Sequence, residues 1–396
     1  MAWRTMEVAD QRIRFVIAAS GSSRSMVELC AEFGISRTTG YVWLGRYRSD
    51  GVAGVCERSR RPLSSPTRTK AEIEDRIVAL RTERPDWGAR KLAFLLGQEG
   101  VKKPPVTVHR VLLRRGLVRV EDRVQQATRR FERERPNQMW QMDFKSQKGW
   151  TRKYVGPLAV IDDASRYLIA LEGTWCTRWE AVRDRLIAAF DRCGLPEEML
   201  MDHGAPWWNQ QASGGWTQLS VWLMKQDIQL HFSGIRHPQT QGKVERFNGA
   251  LEMARRRRGL PDPVRYQPWL DNFRHEYNHL RPHEALEMRT PASLWRPSPR
   301  PYQPQPPEWQ YPLGTEIYRL ERNGQIKLDG KRWQVCGPLA GEQVQVTRIE
   351  QRALVFYRRT LIREIDFSSQ TSKAVQPHRK KTAADPAGDR PTRNSA

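Results

Sequence analysis

Between residues 136 and 296 the apolar pattern switches between period two and period 3.6, and that alternation limits this part of the chain to an α/β core. Met139-Trp140-Gln141-Met142-Asp143-Phe144-Lys145 alternates as a strand and carries one acid. Val155 to Asp162 predicts a second strand and Tyr167 to Glu172 a third, joined by the turn Asp162-Asp163-Ala164-Ser165-Arg166. Ala181, Leu186, Ile187 and Phe190 then stripe a helix predicted over 177–192. A short apolar run, Met199-Leu200-Met201, ends on a second acid, Asp202. A helix over 217–225 and a strand over 229–232 complete the series.

The stretch from Gly234 to Leu251 starts as a loop, because Pro238 biases His237 away from helix and Gly242 loosens the backbone. It then becomes amphipathic, with Val244, Phe247, Leu251 and Ala254 on one helix face. Glu245 lies beside that stripe between Lys243 and Arg246. A lone glutamate in such a place is ordinarily one member of a solvated ionic face. With Asp143 and Asp202 on strands of the same region, it becomes a candidate third carboxylate of a metal site facing a phosphate. Asp162 and Asp163 sit in a turn ahead of Ser165-Arg166 and are read as structural. Arg236, Lys243 and Arg246 are candidate phosphate contacts, and His237 with Gln239 to Gln241 shape the loop. Arg255 to Arg258 suit either the helix dipole or a DNA backbone.

Charge points to the partner. Lys plus Arg is 67 against 44 Asp plus Glu, a net +23 with a pI near 10.3, which a polyanion explains most simply. Residues 1–135 carry 28 basic and 16 acidic side chains, residues 136–296 carry 22 and 18. Acids are thus retained in the middle, and electrostatic docking belongs mainly to the ends. Five scattered cysteines without a Cys-x-x-Cys pair support neither a zinc knuckle nor a disulfide frame. With no apolar leader and no run long enough to span a bilayer, the expectation is a cytoplasmic protein with no membrane partner.

Residues 1–50 predict three helices, over 7–19, 26–33 and 37–48, with Gly34-Ile35-Ser36 as the turn of a helix-turn-helix. Ala31 is the expected small contact and Val42 a core residue. Ser36 as N-cap leaves Arg37, Thr38 and Thr39 in the first turn of the recognition helix, where base edges are reached. Residues 51–71 read as a basic linker. Residues 72–118 predict a second helix-turn-helix whose last helix carries Arg110 and Arg114 as DNA contacts, and residues 119–135 a connector. Seven prolines make 297–312 a semi-rigid linker. Residues 313–367 predict short strands with hairpin turns at Asn323-Gly324 and Asp329-Gly330, closing into a small β-barrel. Residues 368–396 lack an apolar pattern and are expected to be a disordered basic tail.

Three hairpin-type strands, then helix, strand, helix, strand and helix, is the running order of the ribonuclease-H-like fold. Trp140-Gln141-Met142-Asp143, Ile161-Asp162-Asp163-Ala164-Ser165-Arg166, Met201-Asp202-His203-Gly204-Ala205-Pro206-Trp207 and His237-Pro238-Gln239-Thr240-Gln241-Gly242-Lys243-Val244-Glu245-Arg246-Phe247-Asn248 resemble the integrase-core motifs of DDE transposases. Tyr277 to Leu286, followed by Thr290-Pro291-Ala292, resembles the segment that closes that core. From about residue 10 to 366 the chain resembles a bacterial insertion-sequence transposase of the retroviral integrase superfamily.

The resemblance implies a multidomain protein. N-terminal all-α helix-turn-helix units precede a ribonuclease-H-like catalytic core over 136–296 and an SH3-like barrel over 313–367. It implies Asp143, Asp202 and Glu245 as catalytic and metal-binding residues holding two Mg²⁺ ions, which Mn²⁺ can replace. It further implies metal-dependent cleavage and strand transfer on double-stranded DNA, at terminal inverted repeats and a target, by a homo-oligomer assembled on DNA. Two departures stand out. Asp202 and Glu245 are 43 positions apart, longer than is common in the superfamily, and the excess is placed in a polar surface loop over 207–216. His203 stands where many relatives have Asn. The competing readings are a non-catalytic, sequence-specific DNA-binding regulator derived from a transposase and a nuclease acting on RNA–DNA hybrids.

Overall fold

In the computed structural model, which describes residues 8–21, 23–56, 68–118, 133–145, 155–174, 176–209, 215–233, 242–259 and 263–375, the chain divides into two units, 1–69 and 70–396. In the first, α1 (Val8–Gly21), α2 (Met26–Glu32) and α3 (Arg37–Asp50) enclose Phe15, Val16, Leu29, Cys30 and Leu44. Ser25 and Glu28 form a reciprocal capping box that starts α2. Ser36 caps α3, accepting the Thr39 N–H at 3.2 Å. Gly34 makes the turn with φ +63°. Two expectations are corrected: Ala31 and Val42 are exposed, and the small contact is Gly40. A Cβ there would stand 2.6 Å from Cys30 Sγ and 2.9 Å from Phe15 Cζ. Helical spacing places Gly40, not Val42, on the side of α3 that also buries Leu44.

The second unit opens with α4 (Ala71–Glu83), α5 (Ala89–Gln98) and α6 (Pro105–Arg114) around Ile77, Trp87, Leu92, Leu96, Val108 and Val111. Next come β1 (Met139–Phe144), β2 (Val155–Asp162), β3 (Leu168–Thr174), α7 (Trp179–Cys193), β4 (Glu198–Met201), α8 (Gln218–Lys225), β5 (Gln229–Phe232), α9 (Gly242–Arg258), α10 (Tyr266–His275) and α11 (Pro291–Leu294). The strands form one sheet in the order β3-β2-β1-β4-β5, with β1–β2 and β2–β3 antiparallel and β1–β4 and β4–β5 parallel.

Side chains alternate across this sheet with period two. Trp140, Met142, Leu158, Val160, Met199 and Met201 pack with α7 and α8. Ala159, Ile161 and Leu171 face Val244, Phe247 and Leu251 of α9 and Tyr266, Leu270 and Phe273 of α10. The free edge of β3 is sealed by side chains. Asn278 pairs with both Leu168 backbone groups, and Gln267 with Gly173 N–H and Leu171 C=O. That protects an edge strand from pairing with another chain.

Four expectations about the rest change. The 207–216 segment is not merely a polar surface loop: Trp207, Trp208 and Trp216 are buried, with Trp207 stacked on Phe144 and Trp208 and Trp216 edge-on to Phe232. Only 210–214 fall outside the described residues. The proline-rich stretch is strapped to the core rather than acting as a spacer. Leu195 N–H donates to Arg300 C=O at 2.7 Å, Ser298 N–H to Cys193 C=O at 2.8 Å, and the Arg300 guanidinium to the carbonyls of Pro196, Gln226 and Asp227.

The C-terminal strands are β6 (Glu316–Arg319), β7 (Gln325–Leu328), β8 (Lys331–Gln334), β9 (Gln343–Ile349), β10 (Arg352–Tyr357), β11 (Thr360–Asp366) and β12 (Thr371–Ala374). They form an open sheet, β12-β11-β10-β9-β6, and a separate β7–β8 hairpin, so the expected barrel closure is not seen among the described residues. The hairpin turns at Asp329-Gly330, both with positive φ, as that dipeptide predicts. β12 lies inside the stretch expected to be disordered; pairing with β11 supplies order that its own sequence does not. Trp216 Nε1 donates to Ile362 C=O at 3.3 Å, so the tryptophan segment is also where the core receives this sheet.

Candidate active site

Parallel register brings the first two acids together. Gln141 of β1 is paired with Leu200 of β4, so two residues further on Asp143 stands level with Asp202 at the carboxyl ends of neighbouring strands. Residues level on adjacent strands share a face and lie about 5 Å apart along the hydrogen bonds. Their face is the one away from Trp140, Met142, Met199 and Met201, the side on which α9 packs.

Two side chains tie α9 to β1. Gln141 Oε1 accepts the Val244 N–H at 3.2 Å, meeting one of the unpaired donors of the helix's first turn. One turn later Asn248 Nδ2 donates to Asp143 Oδ2 at 2.9 Å. Glu245 and Asn248 are three apart on the helix and so share a face, which directs Glu245 towards the two aspartates. Val244, Phe247 and Leu251 are buried, while Glu245 is exposed.

Burial, then the charge of Asp202, with a smaller push from Glu245, raises the Asp143 carboxyl to about 6; the Phe144 N–H and Asn248 pull the other way. Glu245, exposed at its surface but partly desolvated by the protein around it, is shifted upward. Repulsion among carboxylates is relieved by a cation, and oxygen-only donors suit a hard divalent ion such as Mg²⁺. Among the described residues no three His, Cys, Asp or Glu stand close enough to hold an ion as they are. The fit rests on two aspartates in register and a glutamate on the adjoining helix.

The turn acids have structural partners. Asp162, fully buried, accepts Asn137 N–H at 2.6 Å and Ser165 N–H and Oγ–H at 2.8 and 2.6 Å. Asp163 accepts Gln141 Nε2 at 2.7 Å and Arg133 N–H at 2.7 Å, and Lys243 Nζ lies 2.5 Å from its Oδ2. Lys243, expected at a DNA phosphate, is thus turned inward. Arg246 is exposed beside Glu245, whereas Arg236 and the rest of 234–241 lie outside the described residues.

On the helical units Arg37, Thr38, Thr39 and Arg110 are exposed, but Arg114 is held at 2.5 Å by the buried Glu74. In the basic end of α9, Arg255 and Arg256 pair with Glu252, and Arg258 pairs with Asp86 and Glu276. Asn248 and Gln141 escaped the sequence reading as site residues. The available signal was their spacing, three after Glu245 and two before Asp143 on the same faces.

Several comparisons place this arrangement among known proteins. The "Integrase core domain" family profiles match residues 133–238 and 226–291, a "Helix-turn-helix domain" profile residues 11–62, and a "Homeodomain-like domain" profile residues 39–112. The chain is 23% identical over 371 residues to the transposase for transposon Tn552 of Staphylococcus aureus, covering 82% of this chain and 74% of that one. It is 24% identical over 257 residues to an uncharacterized 31.7 kDa protein of insertion element IS407 from Burkholderia multivorans, covering 58% and 83%. Solved structures with similarity include the HTLV-2 integrase catalytic core domain in complex with magnesium (TM-score 0.30, 16% identity, 41% of this chain and 97% of that one). Another is a simian T-cell lymphotropic virus intasome (0.34, 18%, 76% and 100%).

Proposed function

The chain belongs to the insertion-sequence transposases of the retroviral integrase superfamily, and from that premise we propose that Asp143, Asp202 and Glu245 are the acids of DNA cleavage and strand transfer at element ends. The observation that carries this reading is the register of β1 and β4, which sets Asp143 level with Asp202 while α9 brings Glu245 to the same edge. The three carboxylates would hold divalent metal, two Mg²⁺ ions with Mn²⁺ able to replace them. When bound, such ions lower the pKa of a water or DNA 3′-hydroxyl and stabilise the leaving oxygen.

The chain's own residues supply placement. Asn248 fixes the Asp143 carboxylate, and Gln141 holds the first turn of α9 against β1. Arg246, exposed one position beyond Glu245, is suited to a phosphate flanking the reacting bond. Arg37, Thr38 and Thr39 at the start of α3 and Arg110 on α6 would read terminal inverted repeats. Target DNA would be engaged by the same protein, in a homo-oligomer assembled on DNA within the bacterial cytoplasm. Arg236 keeps its proposed phosphate role from sequence alone. Lys243 and Arg114, committed to Asp163 and Glu74, are given none.

The test is cleavage and joining of a labelled terminal repeat in Mg²⁺ or Mn²⁺. Wild-type protein should act, while Asp143→Asn, Asp202→Asn and Glu245→Gln should bind the repeat normally and lose at least a thousandfold in rate. Tight binding without nicking in any divalent metal, or undiminished activity in those variants, overturns the reading.

A further inference from the structure

Asp86, in the turn between α4 and α5, has a fully buried side chain whose two oxygens are both taken by cations from the catalytic half of its unit. Arg258, the last residue of α9, donates Nε to Oδ1 at 2.9 Å and Nη2 to the same oxygen. Arg281 donates Nη1 to Oδ2 at 2.8 Å. Arg258 also reaches Glu276 at 2.6 and 2.7 Å, and Glu276 Oε1 accepts the Trp87 indole N–H at 3.1 Å. At the rim Arg90 meets Glu284 at 2.5 Å. Burial opposes the charge on Asp86, yet Arg281 and Arg258 outweigh it and hold the carboxyl below its usual value.

A seam of this kind resists opening, because separating it would strand charges that each depend on a partner across it. Its two sides lead to different machinery. Helix α9 runs from Glu245 in its first turn to Arg258 at its end, thirteen residues or roughly 20 Å of continuous helix. On the other side α5 begins three residues after Asp86, and α6, with the exposed Arg110, packs on α5 through the Leu92, Leu96, Val108 and Val111 core. The path from the acids to the reading helix therefore runs through helix, charged seam and packed helix pair.

We infer that Asp86 is a positioning residue that fixes the distance between α6 and the Asp143–Asp202–Glu245 site. The spacing between the DNA block gripped by α6 and the bond that is cut is then set by this junction rather than by the 119–135 connector. The inference rests on the proposed cleavage reaction for its DNA consequence, and on geometry alone for the seam.

Two measurements test it. In full-length protein carrying a site-specific protease sequence inserted within 119–132, cutting should leave the two pieces co-eluting on gel filtration; separation of wild-type pieces overturns the inference whatever the DNA chemistry. Asp86→Ala should release them. On a terminal repeat with one to five base pairs inserted between the α6-protected block and the end, wild-type cutting should follow the block or fall at least tenfold. Cutting that stays at the original bond at full rate overturns the inference. Asp86→Ala should scatter the cut over several nucleotides without losing repeat binding, and a single wild-type cut at unchanged rate counts against it. If Asp86→Ala does not fold, Glu276→Gln, which keeps the shape and removes one charge from Arg258, should show the same scatter to a lesser degree. Absence of any cutting by wild-type protein refutes the proposed function and leaves the co-elution result to judge the seam.

Discussion

The Asn248 side chain spans from α9 to β1, donating Nδ2–H to Asp143 Oδ2 at 2.9 Å from a site that is itself buried. It thereby links the helix that bears Glu245 to the strand that bears Asp143, and it stabilises the charged form of a carboxyl that its surroundings push towards neutrality. Groups that orient metal-binding carboxylates are typically worth 10–100-fold in affinity or activity. Asn248→Ala should therefore lower Mg²⁺-dependent strand transfer by about that factor and raise the Mg²⁺ requirement, with repeat binding unchanged. Asn248→Asp adds a fourth acid to the cluster and should be worse than Ala.

Lys243 and Arg246 flank Glu245, two residues before it and one after, and should behave oppositely. Lys243→Met leaves the buried Asp163 without its charge partner, and breaking one partner of a buried pair costs about 3 kcal/mol or more. That loss should appear in urea unfolding, with the salt dependence of DNA binding unaltered. Arg246→Ala should leave unfolding unchanged and reduce the slope of log affinity against log salt by about one.

Gly40→Ala tests the packing of the N-terminal unit. Alanine improves helix propensity by up to about 1 kcal/mol, whereas forcing a methyl into a packed core costs about 1–3 kcal/mol. Here the methyl meets Cys30 and Phe15, both buried and unable to retreat, so packing wins. A lowered thermal transition for this unit, accompanied by a weaker footprint from α3, is expected.

His283 supplies a pH dependence. Burial, together with Arg281 and Lys91, pushes its imidazole down to about 3, while an unfolded histidine titrates near 6.5. The folded protein refuses a proton that the unfolded chain accepts, so this contribution is intact above about pH 6.5 and is progressively lost as pH falls towards 3. At pH 5 the loss is about 2 kcal/mol. Urea midpoints at pH 7 and pH 5 should differ more in wild type than in His283→Gln; equal differences would remove His283 as the source.

Much of the fold was legible because its signals are local. Alternation along β1 and β2, the stripe Val244-Phe247-Leu251 and the Asp329-Gly330 turn each depend on neighbours a few residues away. The acids could be placed on those elements for the same reason. Less legible were Gly40, whose contact depends on how α3 meets α1 and α2, and the tryptophans of 207–216, which look like loop residues until Phe144, Phe232 and Ile362 surround them. β12 was missed because an edge strand with little apolar pattern is ordered mainly by its neighbour.

Periodicity and residue type by themselves determined the order of strands and helices from β1 to α9, the helix-turn-helix start at Ser36, and the strand and helix positions of Asp143, Asp202 and Glu245. Tertiary structure alone decided which charge meets which. Lys243 goes to Asp163, Arg114 to Glu74, and Arg258 to Asp86 across 172 residues of chain. The physical reason is range: dihedral preference and side-chain period act over one or two turns, whereas an ion's partner is whatever the completed packing brings within a few ångström.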